Sequence, residues 1–129
     1  MGLSDNPVRA TIAVSDIDRA KEFYEGKLGL SAMAGGSDAI RMYACAGASV
    51  LQVYSSPDHA GKSTATTASW SVSDFEAQID QLIAAGVEFE RYDDPPSDEK
   101  GIRTFGAHKV AWCRDPDGNT IAIDNGGSV

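Results

Sequence analysis

The sequence predicts an α+β fold built from two tandem β-α-β-β-β modules. Three observations predict it. Alternation of period two gives way to helical spacing twice along the chain, each time at the same short phrase. Val14-Ser15-Asp16 recurs as Val72-Ser73-Asp74, a shift of 58 positions, and self-similarity of this kind sets architecture. Each helix is then followed by extended stretches broken by Gly, Pro, Ser and Asp, the punctuation of strands and hairpins. At 129 residues the chain suits one domain, 1–129, with module one over about 7–56 and module two over about 65–125.

The elements follow in order. PVRATIAVSD alternates as a strand. From Asp16, IDRAKEFYEGKLGL sets Ile17, Ala20, Phe23, Tyr24 and Leu28 at helical spacing, with Asp16 as N-cap and Gly29 as the stop. Three extended pieces complete the first module: a short one near 31–34, then AIRMYACAG, then ASVLQVYSS. In the second, ATTASWSVSD is a strand. FEAQIDQLIAAGV is a helix with Phe75, Ile79, Leu82 and Ile83 on one face, stopped by Gly86. VEFER, AHKVAWCRD and NTIAIDN are its three further strands. Between the first two of these, Pro95-Pro96 and a cluster of charges predict an irregular loop over 91–105. Loops of that length are more often functional than idle, and this one is read as a lid. In Asp115-Pro116-Asp117-Gly118-Asn119, Asp115 suits an Asx-turn, Pro116 presets φ, and Gly118 takes positive φ, so the turn reads as structural.

Composition excludes whole classes. A formal net charge of −8 opposes nucleic acid and anionic membrane surfaces, both of which need a basic footprint. No apolar run approaches the ~18 residues of a membrane span, and MGLSDNPV lacks the regions of a signal peptide, so the expected location is the cytoplasm. Cys45 and Cys113 are too few for a disulfide framework and read as reduced, half-buried thiols.

VSDIDRAKEFYEGKLGL, the 58-residue repeat and AWCRDPDGNTIAID together resemble the vicinal oxygen chelate superfamily, over residues 7 to about 125. That superfamily includes glyoxalase I, bleomycin-resistance proteins and extradiol dioxygenases. The resemblance implies a curled mixed sheet around one cavity and commonly a homodimer. It also implies that metalloenzyme members place one ligand on each of four strands. Carried onto this chain, those positions are Arg9, Gln52, Thr67 and Ala122. Only Gln52 offers a ligand atom. Arg9 is a fixed cation with no acceptor, and Ala122 offers nothing. No metal and no cofactor are therefore expected.

Alternation extends the cavity lining from these positions. Thr11 shares a face with Arg9, Tyr54 with Gln52, Ser69 with Thr67, and Asp124 with Ala122. The resemblance also implies that Trp112 faces inward; alternation then adds Val110 and His108 to the lining, and Cys113 and Trp70 take the outward parity of their strands. Aromatic surface with a few convergent polar groups suits a small-molecule ligand. Arg9 suits a carboxylate or phenolate. The plain alternative is that Trp112 and Tyr54 fill core, with Arg9 paired to Asp124; Arg41, Arg91 and Arg103 read as solvated or loop charges. Three functional readings follow: a metal-independent binder of a small hydrophobic or aromatic molecule; an enzyme of lyase, isomerase or dioxygenase type, either metal-free with His108 and Asp124 as its acid–base pair or with a metal relocated to His108 with Asp124 or Gln52; or a structural or regulatory module whose cavity its own side chains fill.

Overall fold

The structure is a computed structural model and describes residues 2–127. Strand β1 (Arg9–Val14) buries Ile12 and Val14 and leaves Arg9 and Thr11 outside. Helix α1 (Ile17–Lys21) is capped by Asp16, whose Oδ1 accepts the backbone N–H groups of Asp18 at 3.0 Å and Arg19 at 3.3 Å. The predicted helix continues as a wider turn over Glu22–Lys27, in which the Leu28 N–H reaches back five residues to the Phe23 carbonyl. That segment buries both Phe23 and Tyr24. Strands β2 (Ile40–Ala44) and β3 (Val50–Ser55) complete a sheet ordered β1-β3-β2, with β1 parallel and β2 antiparallel to β3.

The second half repeats the scheme. Strand β4 (Thr66–Ser71) leads to helix α2 (Phe75–Ala84), which buries Phe75, Ile79 and Leu82. Ile83 was expected in that stripe but is 39% exposed; at ~100° per residue it lies at the stripe's rim, beyond the core. Strands β5 (Arg103–Phe105), β6 (His108–Arg114) and β7 (Thr120–Asp124) form a sheet ordered β4-β7-β6-β5. Two expectations are corrected here. The pieces near 31–34 and 87–91 contribute only single bridges, Ala32 to Tyr43 and Phe89 to Cys113. The end of the 91–105 loop is instead β5, joined to β6 by the two-residue turn Gly106-Ala107. The proline pair forbids a strand only as far as Pro96. Beyond it, Arg103-Thr104-Phe105 alternates into a glycine turn, a short-hairpin signal.

One core takes alternate residues from both sheets: Ile12, Val14, Leu51 and Val53 from the first, Ala111, Cys113, Ile121 and Ile123 from the second. Phe23 and Tyr24, Phe75, Ile79 and Leu82 cover it. Both helical segments thus lie on one side, and period two leaves the opposite faces of the two sheets uncovered. Trp70 has the predicted outward parity. With Leu28, Leu30, Val72 and Leu82 it lines an apolar recess of about 160 Å³ on the helix side. Among the described residues no helix is long and apolar enough to cross a membrane.

The Asp115–Asn119 turn binds the two halves together. Asp115 is buried, and its Oδ2 accepts the Tyr24 hydroxyl at 2.7 Å and the Asn119 side-chain amide at 2.8 Å. Its Oδ1 accepts the backbone N–H of Asp117 at 3.0 Å and of Asn119 at 2.9 Å. Asn119 also donates to the Ala13 carbonyl at 2.9 Å, and Asp117 accepts the N–H and hydroxyl of Ser15. Arg19 adds a half-exposed ion pair to Asp117 at 3.5 Å. Gly118 sits at φ 90°, as the turn requires.

Cys113 is buried to 1% exposure, deeper than the half-burial expected of it, while Cys45 is intermediate; both are free thiols. Burial, with lesser help from the charges of Asp115 and Glu90, pushes the Cys113 thiol up to about 12. A folded value above the unfolded one means the folded state keeps its proton longer. Stability is therefore complete below the unfolded thiol value near ~9 and falls as pH rises toward 12. Cys113 alone is expected to cost on the order of 1–2 kcal/mol at pH 10 relative to pH 7. Urea unfolding of wild type and Cys113→Ala at both pH values tests this: the variant, though less stable throughout, loses that increment.

Candidate functional site

The uncovered face is built by strand register. On the first sheet, Thr11 lies opposite Gln52 and Gln52 opposite Met42; Ala13, Tyr54 and Ile40 form the next row. On the second sheet, Ser69, Ala122 and Trp112 form one row. Ser71, Asp124, Val110 and Arg103 form the next, and Phe105 pairs with His108. The face is open: Arg9, Thr11 and Ser69 are exposed, and Gln52, Tyr54, Thr67, His108, Trp112 and Asp124 are half-buried. Ala122 is buried.

The four positions that the resemblance marks for a metal do not fit one. The Arg9 guanidinium donates to the Gln52 Oε1 at 3.2 Å and lies 3.6 Å from the Met42 sulfur. A cation thus occupies the one oxygen in the set that suits a metal. Thr67 falls at a register shift in β4, and its hydroxyl donates to the Thr120 carbonyl at 2.9 Å. The bulge brings Thr66 onto the face as well, where its hydroxyl accepts the Trp112 indole N–H at 3.2 Å. Among the described residues, no group of three or more His, Cys, Asp or Glu side chains stands close enough to hold an ion.

The candidate acid–base residues each have other partners. His108 Nδ1 lies 3.0 Å from the Gly127 carbonyl, and Asp124 Oδ1 accepts the Ser71 hydroxyl at 2.6 Å and the Gly126 N–H at 2.8 Å. His108 and Asp124 do not hydrogen-bond each other, and Arg9 does not pair with Asp124.

Sequence reasoning missed the densest part of this face. The Arg103 guanidinium carbon stands 4.6 Å from the centroid of Tyr92, 5.2 Å from Phe105 and 5.6 Å from Trp112. Tyr92 and Trp112 meet edge to face at 5.3 Å. Arg103 Nε donates to the Pro95 carbonyl at 2.9 Å and Nη2 to that of Asp94 at 2.6 Å. The arginine read as a loop charge is therefore held in an aromatic cluster. One signal was present: the parity of Arg103 and Phe105 across the Gly106-Ala107 turn puts them on the face of His108 and Trp112. Nothing local announced Tyr92, which the loop's own folding positions. That loop is internally bonded: the Tyr92 N–H and carbonyl both bond Ser97, and Asp98 accepts the N–H groups of Lys100 and Ile102.

A family model described as Glyoxalase/Bleomycin resistance protein/Dioxygenase superfamily matches residues 7–123. No curated protein sequence matches. Among solved structures, a glyoxalase/bleomycin resistance protein from Catenulispora acidiphila DSM 44928 is similar at TM-score 0.72 and 23% identity, covering 92% of this chain and 96% of that one. TnmS3, an antibiotic binding protein from Streptomyces sp. CB03234, is similar at TM-score 0.70 and 22% identity, covering 92% and 93%. Lactoylglutathione lyase from Agrobacterium tumefaciens is similar at 0.68 and 15%, covering 92% of each. Likenesses at these identities carry the fold and leave the chemistry to the residues.

Proposed function

We propose that this chain, which belongs to the glyoxalase/bleomycin resistance protein/dioxygenase superfamily, is a metal-independent binder of a small hydrophobic or aromatic molecule. The observation that carries this reading is the pairing of Arg9 with Gln52 at 3.2 Å, which sets a fixed cation on the one usable ligand oxygen. The uncovered faces also carry half-buried aromatic surface: Tyr54 on the first sheet, and Trp112, Phe105 and the adjoining Tyr92 on the second. Rings with wet edges and few polar groups suit recognition of a planar ligand by stacking and area burial. An antibiotic binding protein among the structural relatives is consistent with such a role. The enzymatic alternative draws no support from His108 and Asp124, which are bonded elsewhere.

Thermal unfolding of chelator-treated protein tests the proposal. Mn, Fe(II), Co, Ni, Zn and Mg are expected to leave the midpoint unchanged. A hydrophobic aromatic ligand at ~100 times its Kd adds about 2.7 kcal/mol and raises the midpoint by several degrees. A metal-induced rise that Gln52→Ala or His108→Ala abolishes would overturn it.

A further inference from the structure

The charge pattern of the arginines narrows the ligand class, and this inference rests on the binder reading above. Arg19, Arg41 and Arg114 each pair with a carboxylate, at 3.5, 3.2 and 3.0 Å to Asp117, Glu25 and Glu90. Arg9, Arg91 and Arg103 have no carboxylate partner among the described residues, although the chain carries 19 acidic residues, and Arg9 and Arg103 are the two of these on the uncovered face. Arg9 has an amide and a thioether; Arg103 has two backbone carbonyls. Those carbonyls use Nε and one N–H of Nη2. They fix the guanidinium plane, yet they leave it without a carboxylate within 4 Å and its Nη1 donors without a partner among the described residues. Rings of Tyr92, Phe105 and Trp112 surround it and stiffen it further, and they limit the water that would otherwise screen it.

A guanidinium held in one orientation beside aromatic surface is a ready seat for a carboxylate. Little side-chain entropy remains to be lost, and charge-assisted hydrogen bonds are the strong ones. We propose that Arg103 is the specificity-determining residue of this face and that the ligand is a planar aromatic anion. Its carboxylate meets the free Nη1 edge of Arg103, and its ring lies against Trp112.

Matched probes test this. 2-Naphthoate and 2-naphthamide share shape and ring and differ in charge; binding is read by quenching of tryptophan fluorescence and by calorimetry. The carboxylate is expected to bind about tenfold or more tighter, as a charge-assisted pair implies. Raising salt should shrink that advantage without weakening the amide. Arg103→Met should bring the two within about twofold while amide binding persists. Arg103→Lys, which keeps charge but loses the planar fork, should fall between and covers the case in which the methionine variant does not fold. Arg114→Met, which removes an arginine already paired with Glu90 at 3.0 Å, should leave the ratio intact.

Equal binding of the two probes by wild type overturns the anion assignment and leaves the binder reading standing. Loss of the preference in Arg9→Met, with its retention in Arg103→Met, overturns the assignment to Arg103. Absence of binding by either probe at millimolar concentration counts against both readings.

Discussion

Replacing Asp115 by alanine is expected to lower stability by about 3–5 kcal/mol, because it breaks a buried, charge-assisted network at its centre. Four hydrogen bonds end on this carboxylate, one from Tyr24 of the opposite module. The variant strands the Tyr24 hydroxyl, and one N–H of the Asn119 amide whose other bond to Ala13 remains, in a site from which water is almost excluded. Tyr24 shows how dry the site is: burial first, and the Asp115 charge second, push its phenol far above the ordinary tyrosine range. For a domain of this size the loss corresponds to a fall in midpoint of about 10–15 °C. Urea and thermal unfolding measure it. Tyr24→Phe, which removes one bond and leaves the turn's own bonds in place, should cost less than half as much. Equal losses would mean that the turn contributes nothing beyond its link to Tyr24.

Gly61→Ala is expected to cost about 2–4 kcal/mol, a large effect for one methyl group on a loop. Gly61 lies in the connection between the modules at φ 65°, and its N–H donates to Asn119 Oδ1 at 3.3 Å. A Cβ there would collide with the Asp117 carbonyl oxygen, a backbone atom that cannot turn aside. Either the connection lifts off the turn or the turn itself shifts. Gly29→Ala is the control, since Gly29 has a similar φ of 75° but no atom within 4 Å of the added methyl. It should cost only about 1 kcal/mol, the backbone part alone. Denaturant midpoints of the two variants separate collision from strain.

Most of the architecture was legible because it is written in short-range signals. Asp16 caps a helix through its nearest N–H groups, and the 115–119 turn closes on itself; neither needs distant partners to be recognised. The parity of β6 separated Trp112 from Cys113 without any knowledge of the sheet, since successive side chains must point to opposite faces. Where the reading slipped, longer-range contacts decided. Residues 87–91 have strand-like composition, but a single bridge from Phe89 to Cys113 is all the pairing they make. Gly26 weakens the helix locally but does not specify the wide turn over Glu22–Lys27, in which Tyr24 reaches Asp115 across 91 positions.

The sequence by itself determined two modules, their helices and most of their strands. Residue identity alone also set the expectation that, of the four strand positions the family resemblance marks, only Gln52 offers a metal ligand. Those conclusions depend on residue identity and on periods of two and 3.6, which are local properties. Only the tertiary structure decided that Arg9 sits on Gln52, that a bulge turns Thr66 toward Trp112, and that Arg103 stands among three rings. Each of these depends on register and on loop closure between residues far apart in the chain, where no local preference fixes which partners meet.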